Sequence, residues 1–263
     1  MNRPTILALA AVLSAAAVAP AQTANGITAP QLVQWSGASQ TVQSDFWNDV
    51  SGSANPGRGS FPGTGAWSAP IESNIGGDAK LSKVSNGTGG GPYAASQSIY
   101  FGGFSGDVNN NGGTLAVSDF TPVANLKTVV FQLQMGEAWT YDLWNGAAPV
   151  LSYNGGTQSL AATYSDVIAR EFTGTVTMPS GEEPIYNNLR GYQWDLSGLS
   201  GITDFSISFT GVQHAQLYGL RLDQSDLAYG TPVGPLPQAV PEPASMIALS
   251  LGAVAFLRRR RKA

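Results

Sequence analysis

The chain has 263 residues, a formal net charge of −4, no cysteine and only 11% charged side chains. Without cysteine there is no disulfide framework, zinc–thiolate site, iron–sulfur cluster, thiol nucleophile or lipoprotein anchor. Between the two ends, seven basic residues face sixteen acidic ones. Such a body has no basic stripe to neutralise phosphates, which argues against nucleic acid as a partner.

The N-terminus opens Met1-Asn2-Arg3, runs apolar from Ile6 to Val18, and reaches a small-residue exit at Ala19-Pro20-Ala21. A basic start, a short apolar core and an A-x-A exit form a secretory signal peptide. The run is shorter than the ~20 residues of a membrane span. Cleavage is expected after Ala21, so the mature chain starts at Gln22 and residues 1–21 are the leader, exported through the Sec pathway.

The body, residues 22–227, shows no amphipathic helix. Short alternating apolar runs are punctuated by Gly, Asn, Ser and Pro, which is the signature of strands and turns. Residues 46–92 are rich in Gly, Pro and Ser and read as long loops with few strands. Strands are expected at 98–101, 114–118, 127–135, 150–153, 171–178, 192–196, 203–210 and 216–222. In 127–135, Val129, Phe131, Leu133 and Met135 share one face, with Thr128, Gln132 and Gln134 on the other. One-sided alternation predicts antiparallel sheets with one buried and one wet face. The expected fold is therefore all-β, an antiparallel sandwich or jelly roll.

Four features of the body bear on chemistry. Asp107-Val108-Asn109-Asn110-Asn111-Gly112 matches the first half of a calcium loop, with Asp107, Asn109 and Asn111 as oxygen ligands. The twelfth position is Ser118 rather than a bidentate Glu, and Asn-Gly between strands is a hairpin turn signal. The turn is the preferred reading, and structural calcium is the alternative. Trp139-Thr140-Tyr141-Asp142-Leu143-Trp144 is dense in aromatics. On a strand, Trp139 and Tyr141 would share a face with Trp144 opposite, able to stack on sugar rings, with Asp142 bonding hydroxyls. Core packing is the plainer use of such rings. The only histidine, His214, begins a strand, and no nucleophile elbow accompanies it, so a structural, hydrogen-bonded role is expected. Glu182-Glu183 sit in a polar loop, whereas glycosidase carboxylates face each other across a cleft at ~5–9 Å. Asn86-Gly87-Thr88 fits a glycosylation sequon.

Residues 228–241 carry prolines at 232, 235, 237 and 241 and read as a semi-rigid linker that lifts the body off a membrane. Then come Val240-Pro241-Glu242-Pro243-Ala244-Ser245, an apolar stretch to Leu257, and Arg258-Arg259-Arg260-Arg261-Lys262. The prolines keep the chain extended. Residues 244–257 would make a transmembrane helix of ~21 Å at 1.5 Å per residue. That is short, but terminal Arg and Lys can snorkel. The basic cluster stays cytoplasmic by the positive-inside rule.

A short Pro-Glu-Pro motif, an apolar helix and a terminal arginine run, in that order over residues 240–263, resemble the PEP-CTERM sorting signal. The resemblance implies processing by an exosortase-like enzyme after transient anchoring in the inner membrane. It also implies delivery to the surface or matrix of a Gram-negative, exopolysaccharide-producing bacterium. The reading is then a non-catalytic surface or biofilm-matrix protein associated with exopolysaccharide. A carbohydrate-binding module is the second reading and a polysaccharide-active enzyme the third. No cofactor is expected.

Overall fold

The computed structural model describes residues 23–24, 27–37, 40–104 and 108–237. Ala19 and Ala21 of the leader, Gln22 at the expected mature N-terminus, residues 240–263 of the tail, and Asp107 lie outside the described residues. Among the described residues no helix is long and apolar enough to cross a membrane.

Along the chain the strands are β1 (Thr23–Ala24), β2 (Ile27–Thr28), β3 (Val42–Trp47), β4 (Ile71–Glu72) and β5 (Ile75–Gly76). They continue with β6 (Lys80–Asn86), β7 (Pro92–Ala94), β8 (Ile99–Phe101), β9 (Asn111–Asp119) and β10 (Thr128–Gly136). One 3₁₀ turn at Trp144–Gly146 precedes β11 (Val150–Tyr153), β12 (Leu160–Ala161), β13 (Tyr164–Met178) and β14 (Gly181–Asp195). β15 (Phe205–Val212) and β16 (Gln216–Ser225) close the body. The all-β, antiparallel expectation holds: one sheet runs β13-β14-β10-β16-β3-β5 with β8 and β7 added beside β16, and the other runs β12-β11-β15-β9-β6-β4.

One apolar cluster joins the two sheets. Val129, Phe131, Leu133 and Met135 of β10 enter it with Leu115 and Val117 of β9 and Phe205, Ile207 and Phe209 of β15. Phe131 and Phe209 meet across the gap at 5.9 Å between ring centroids. Trp47 Nε1 donates to Ile71 O at 3.0 Å, so its one polar atom is satisfied inside the core. Burying each such side chain contributes about 1.5–3 kcal/mol.

Three expectations are corrected. The second face of β10 is not wet: Thr128 and Gln132 are fully buried and Gln134 nearly so. Two flanking segments cover it. The Gln132 amide pairs with the Gln31 backbone, accepting from N at 2.9 Å and donating to O at 2.6 Å. Val33, Val130, Val233 and Leu236 form a second small core there, with Trp35, Tyr164 and Tyr229 packed against it. Alternation shows that a strand has two faces but not what lies over the polar one.

The same packing corrects the linker. Residues 228–237 were expected to begin a stalk. Instead the Gln193 amide donates to Tyr229 O and Thr231 O and accepts from Val233 N, which straps this segment onto the sheet. The third correction lies within residues 46–92, which are mostly loop as expected but hold one longer strand, β6, that was not among those expected. These residues contain the end of β3 and all of β4, β5 and β6. β6 was hidden because Lys80-Leu81-Ser82-Lys83-Val84-Ser85-Asn86 has one core apolar residue and a register shift between Lys83 and Ser85.

Candidate functional site

The segment after β10 does not continue as a strand. Ala138 and Tyr141 exchange two backbone hydrogen bonds, at 2.7 and 3.0 Å, around Trp139 (φ 48°) and Thr140 (φ 70°). Two consecutive positive φ values are those of a type I′ turn, which usually takes Asn-Gly. A bulky and a β-branched residue there are strained. Trp144 opens the 3₁₀ turn. Trp139 and Trp144 are partly buried against the core, while Tyr141 is 39% exposed. Trp139 and Trp144 thus pack against the core, the plainer of the two uses expected of them, and Tyr141 is the exposed ring.

Trp139 also ends a row of rings at this edge of the body. Centroid distances run 5.0 Å from Phe104 to Phe61, 6.4 Å to Tyr93, 5.8 Å to Tyr100, 5.8 Å to His214 and 5.0 Å to Trp139. Pairing of β7 with β8 sets Tyr93 opposite Tyr100, and β8 pairs with the start of β16 just after His214. Tyr100 Oη lies 2.8 Å from His214 Nδ1. The histidine is hydrogen-bonded, as expected for a structural role, and its φ of 74° marks a tight turn. Burial pushes the Tyr93 and Tyr100 phenols up, keeping them as donors. Phe61 and Phe104 are 50% and 72% exposed, so one end of the row is open. The sequence hid the row because its rings come from five separate segments.

Asp142 does not face solvent. It is buried and held by Arg190 through Nε to Oδ2 at 2.6 Å and Nη2 to Oδ1 at 3.0 Å. Asn188 Nδ2 bridges Asp142 Oδ2 and Glu137 Oε1, each at 2.9 Å. Glu137 also accepts from Arg170 Nη2 and Tyr186 N. Burial works against the Arg190 charge, but the Asp142 carboxylate more than offsets it and holds the guanidinium pKa above its usual value. This network anchors the strained turn. Its two carboxylates are neighbours, yet each is tied to a guanidinium.

Glu182 and Glu183 lie in β14, not in a loop, opposite Thr177 and Val176. Adjacent strand residues point to opposite faces, so they cannot act as a pair. Asn109 and Asn145 bond reciprocally, Asn145 N to Oδ1 at 3.0 Å and Nδ2 to Asn145 Oδ1 at 3.2 Å. Asn111 Oδ1 accepts from Gly113 N at 2.8 Å. Asn109 Oδ1 thus ties this segment to the 3₁₀ turn at Trp144–Gly146, and Asn111 Oδ1 serves its own turn. Asn86 Nδ2 donates to Thr64 O.

An open groove of about 480 Å³ lies between residues 64–70 and β6. Trp67 lines it with its Nε1 on Pro92 O at 3.0 Å, and Lys83 Nζ donates to Gly63 O and Gly65 O.

Residues 239–262 match the family described as the PEP-CTERM protein-sorting motif. The match is confined to the tail, and the body has no recognised family. No curated protein and no solved structure matches the chain. The motif indicates a secreted, membrane-transiting chain sorted to the cell surface, and it implies processing by an exosortase.

Proposed function

We propose that the protein is a non-catalytic component of the cell surface or extracellular matrix, associated with exopolysaccharide, and released from a transient inner-membrane anchor by an exosortase-like enzyme. The observation that carries this reading is the sorting motif at residues 239–262. It is supported by the state of the clustered carboxylates at the turn end. Glu137 and Asp142 are buried and neutralised by Arg170 and Arg190, which suits architecture rather than acid–base work.

The test is sedimentation of the purified protein with exopolysaccharide from the producing strain. Co-sedimentation that soluble polymer competes away supports the association. Protein that stays in the supernatant at all polymer concentrations contradicts it.

A second reading, a carbohydrate-binding module, is favoured by the open end of the aromatic row. Phe61 and Phe104 offer apolar surface that sugar C–H faces can cover. Glycan-array binding that disappears in Phe61→Ala and Phe104→Ala would select this reading over bulk association.

A further inference from the structure

Among the described residues, the edges of the two sheets are blunted except along one stretch of β13. A bare edge strand is a row of unpaired N–H and C=O groups that can template another chain. Short strands, charges, proline and bulges guard against that. β4, β5 and β12 have two residues each and β7 has three. β6 runs past β4, but it carries Lys83 and a register shift between Lys83 and Ser85. β13 is the long edge, fifteen residues lying outermost in the eight-stranded sheet. Its first half is guarded: Asp166, Arg170 and Glu171 are charged, and the register shifts between Val167 and Ala169 and between Phe172 and Gly174. After Thr173 the guards stop. Gly174 to Met178 pair one-to-one with Ile185 to Gly181, and residues 172–178 read Phe-Thr-Gly-Thr-Val-Thr-Met, without charge or proline.

This stretch also stands clear of the body. β10 stops pairing with β14 at Gly136, opposite Asn187. Residues 172–178 and 181–186 therefore continue as a two-stranded ribbon that reaches about 20 Å further, at ~3.3 Å per residue. Its base is held. Glu171 accepts from Thr28 N at 3.0 Å, Arg170 lies 3.9 Å from the Tyr186 ring centroid, and Phe172 meets Tyr186 at 5.9 Å. Beyond that base, Thr173 Oγ1 donates to Ile185 O at 3.1 Å, and the two strands bond to each other. A Cβ on Gly174 or Gly181 would meet nothing within 4 Å. A lone two-stranded ribbon is marginal in water and gains from added strands. Its β14 edge is guarded by Glu182, Glu183 and Pro184. The edge left for addition is that of β13.

We propose that Gly174 to Met178 pairs antiparallel with the same segment of a second copy of this chain, about a two-fold axis through Val176. Charge selects the stretch. The body carries seven basic and sixteen acidic residues, so two copies repel, and a contact between them needs a neutral segment. The register is self-complementary. The axis sets Val176 on Val176, Thr175 on Thr177 and Gly174 on Met178, and β-branched and Thr–Thr pairs are favourable cross-strand neighbours. The two ribbons then form a four-stranded sheet in the order β14-β13-β13-β14. Glu182, Glu183 and Pro184 fall on both outer edges, where they stop further addition. The same patch serves both copies, so the contact closes as a dimer and does not propagate. The antiparallel pairing leaves the two bodies at opposite ends. The contact belongs to the small, weak class of interfaces.

The chain has no cysteine, so a single introduced thiol reports a single contact. In the paired register the two Cβ atoms at position 176 lie ~4.5–5.5 Å apart, close to disulfide range. Under mild oxidation the purified full-length Val176→Cys chain should give a disulfide-linked dimer in several-fold higher yield than Val84→Cys, an exposed site on the other sheet. Thr175→Cys and Thr177→Cys should each stay monomeric alone and cross-link when mixed. Val176→Lys should abolish concentration-dependent dimerisation of the cysteine-free chain in sedimentation. It should leave the thermal midpoint unchanged, because Val176 is half-buried on the ribbon and outside the core. Val176→Cys dimer yields no higher than those of Val84→Cys would overturn the proposal. Equal yields from positions 175, 176 and 177 alone would overturn it too, since they report collision rather than register. A Val176→Lys chain that dimerises like the wild type would place the contact elsewhere and contradict the pairing.

Discussion

Arg190 holds Asp142 by a two-pronged ion pair, with side chains 30% and 5% exposed. Removing one partner of such a pair strands the other charge away from water. Arg190→Ala should therefore cost about 2–4 kcal/mol, discounted for the partly exposed guanidinium. Asp142→Asn keeps the shape and one hydrogen bond to Asn188 but leaves Arg190 unpaired, so it too should destabilise. Urea unfolding measures both. Costs under about 1 kcal/mol would show that the network does not hold the turn.

The strap over the eight-stranded sheet makes an opposite forecast from a free stalk. Leu236 is 3% exposed and packs with Val33, Val130 and Val233. Leu236→Ala should cost about 2–4 kcal/mol, as for other buried leucines. A stalk residue would cost essentially nothing. Comparison with Pro237→Ala at the edge of the segment provides the control.

Asp223 supplies a pH dependence of definite sign. Its carboxyl is buried under residues 31–35, and burial pushes its pKa up to about 6, although Arg221 and Ser44 pull it down. In the unfolded chain it titrates near ~3.9. The protonated form is therefore favoured by folding. This contribution is complete below about pH 4 and is lost as pH rises to about 6, by about 2 kcal/mol. Burial also raises Asp45 and Asp119, which act in the same direction. Stability of the wild type relative to Asp223→Asn should fall between pH 4 and 6.5. A difference that rises with pH over that window would contradict the assignment.

The Trp139-Thr140 turn stores strain that glycine relieves. A β-branched residue at φ 70° costs about 1–3 kcal/mol, more than the entropy glycine adds to the unfolded chain. Thr140→Gly should stabilise the protein by about 1 kcal/mol in chemical denaturation. A loss of stability would mean that the threonine side chain, not the turn, matters there.

Alternation in Val129 to Met135 and in Phe205 to Phe209 was legible because each strand has one core face, and the period of two survives in sequence. β3 and β6 were not, since Asp45 and Lys83 interrupt their apolar faces at the ends of the sheets. Those interruptions place Asp45 among buried polar side chains and Lys83 at the groove. Trp139 to Trp144 misled because rings with β propensity occupy a turn normally written Asn-Gly. The aromatic row and the Arg190–Asp142 pair join residues remote in sequence. Only the fold brings them together. The tail was legible by itself because a sorting signal is read as a linear peptide.

The central claim is that the tail is an address, removed once the acidic body reaches the outside. Mass spectrometry of the mature protein from its own cell surface tests it most directly. The account predicts an N-terminus at Gln22 and no peptide from the apolar stretch or the arginine run beyond Pro243. Surface protein that uniformly retains Ala263 would contradict it.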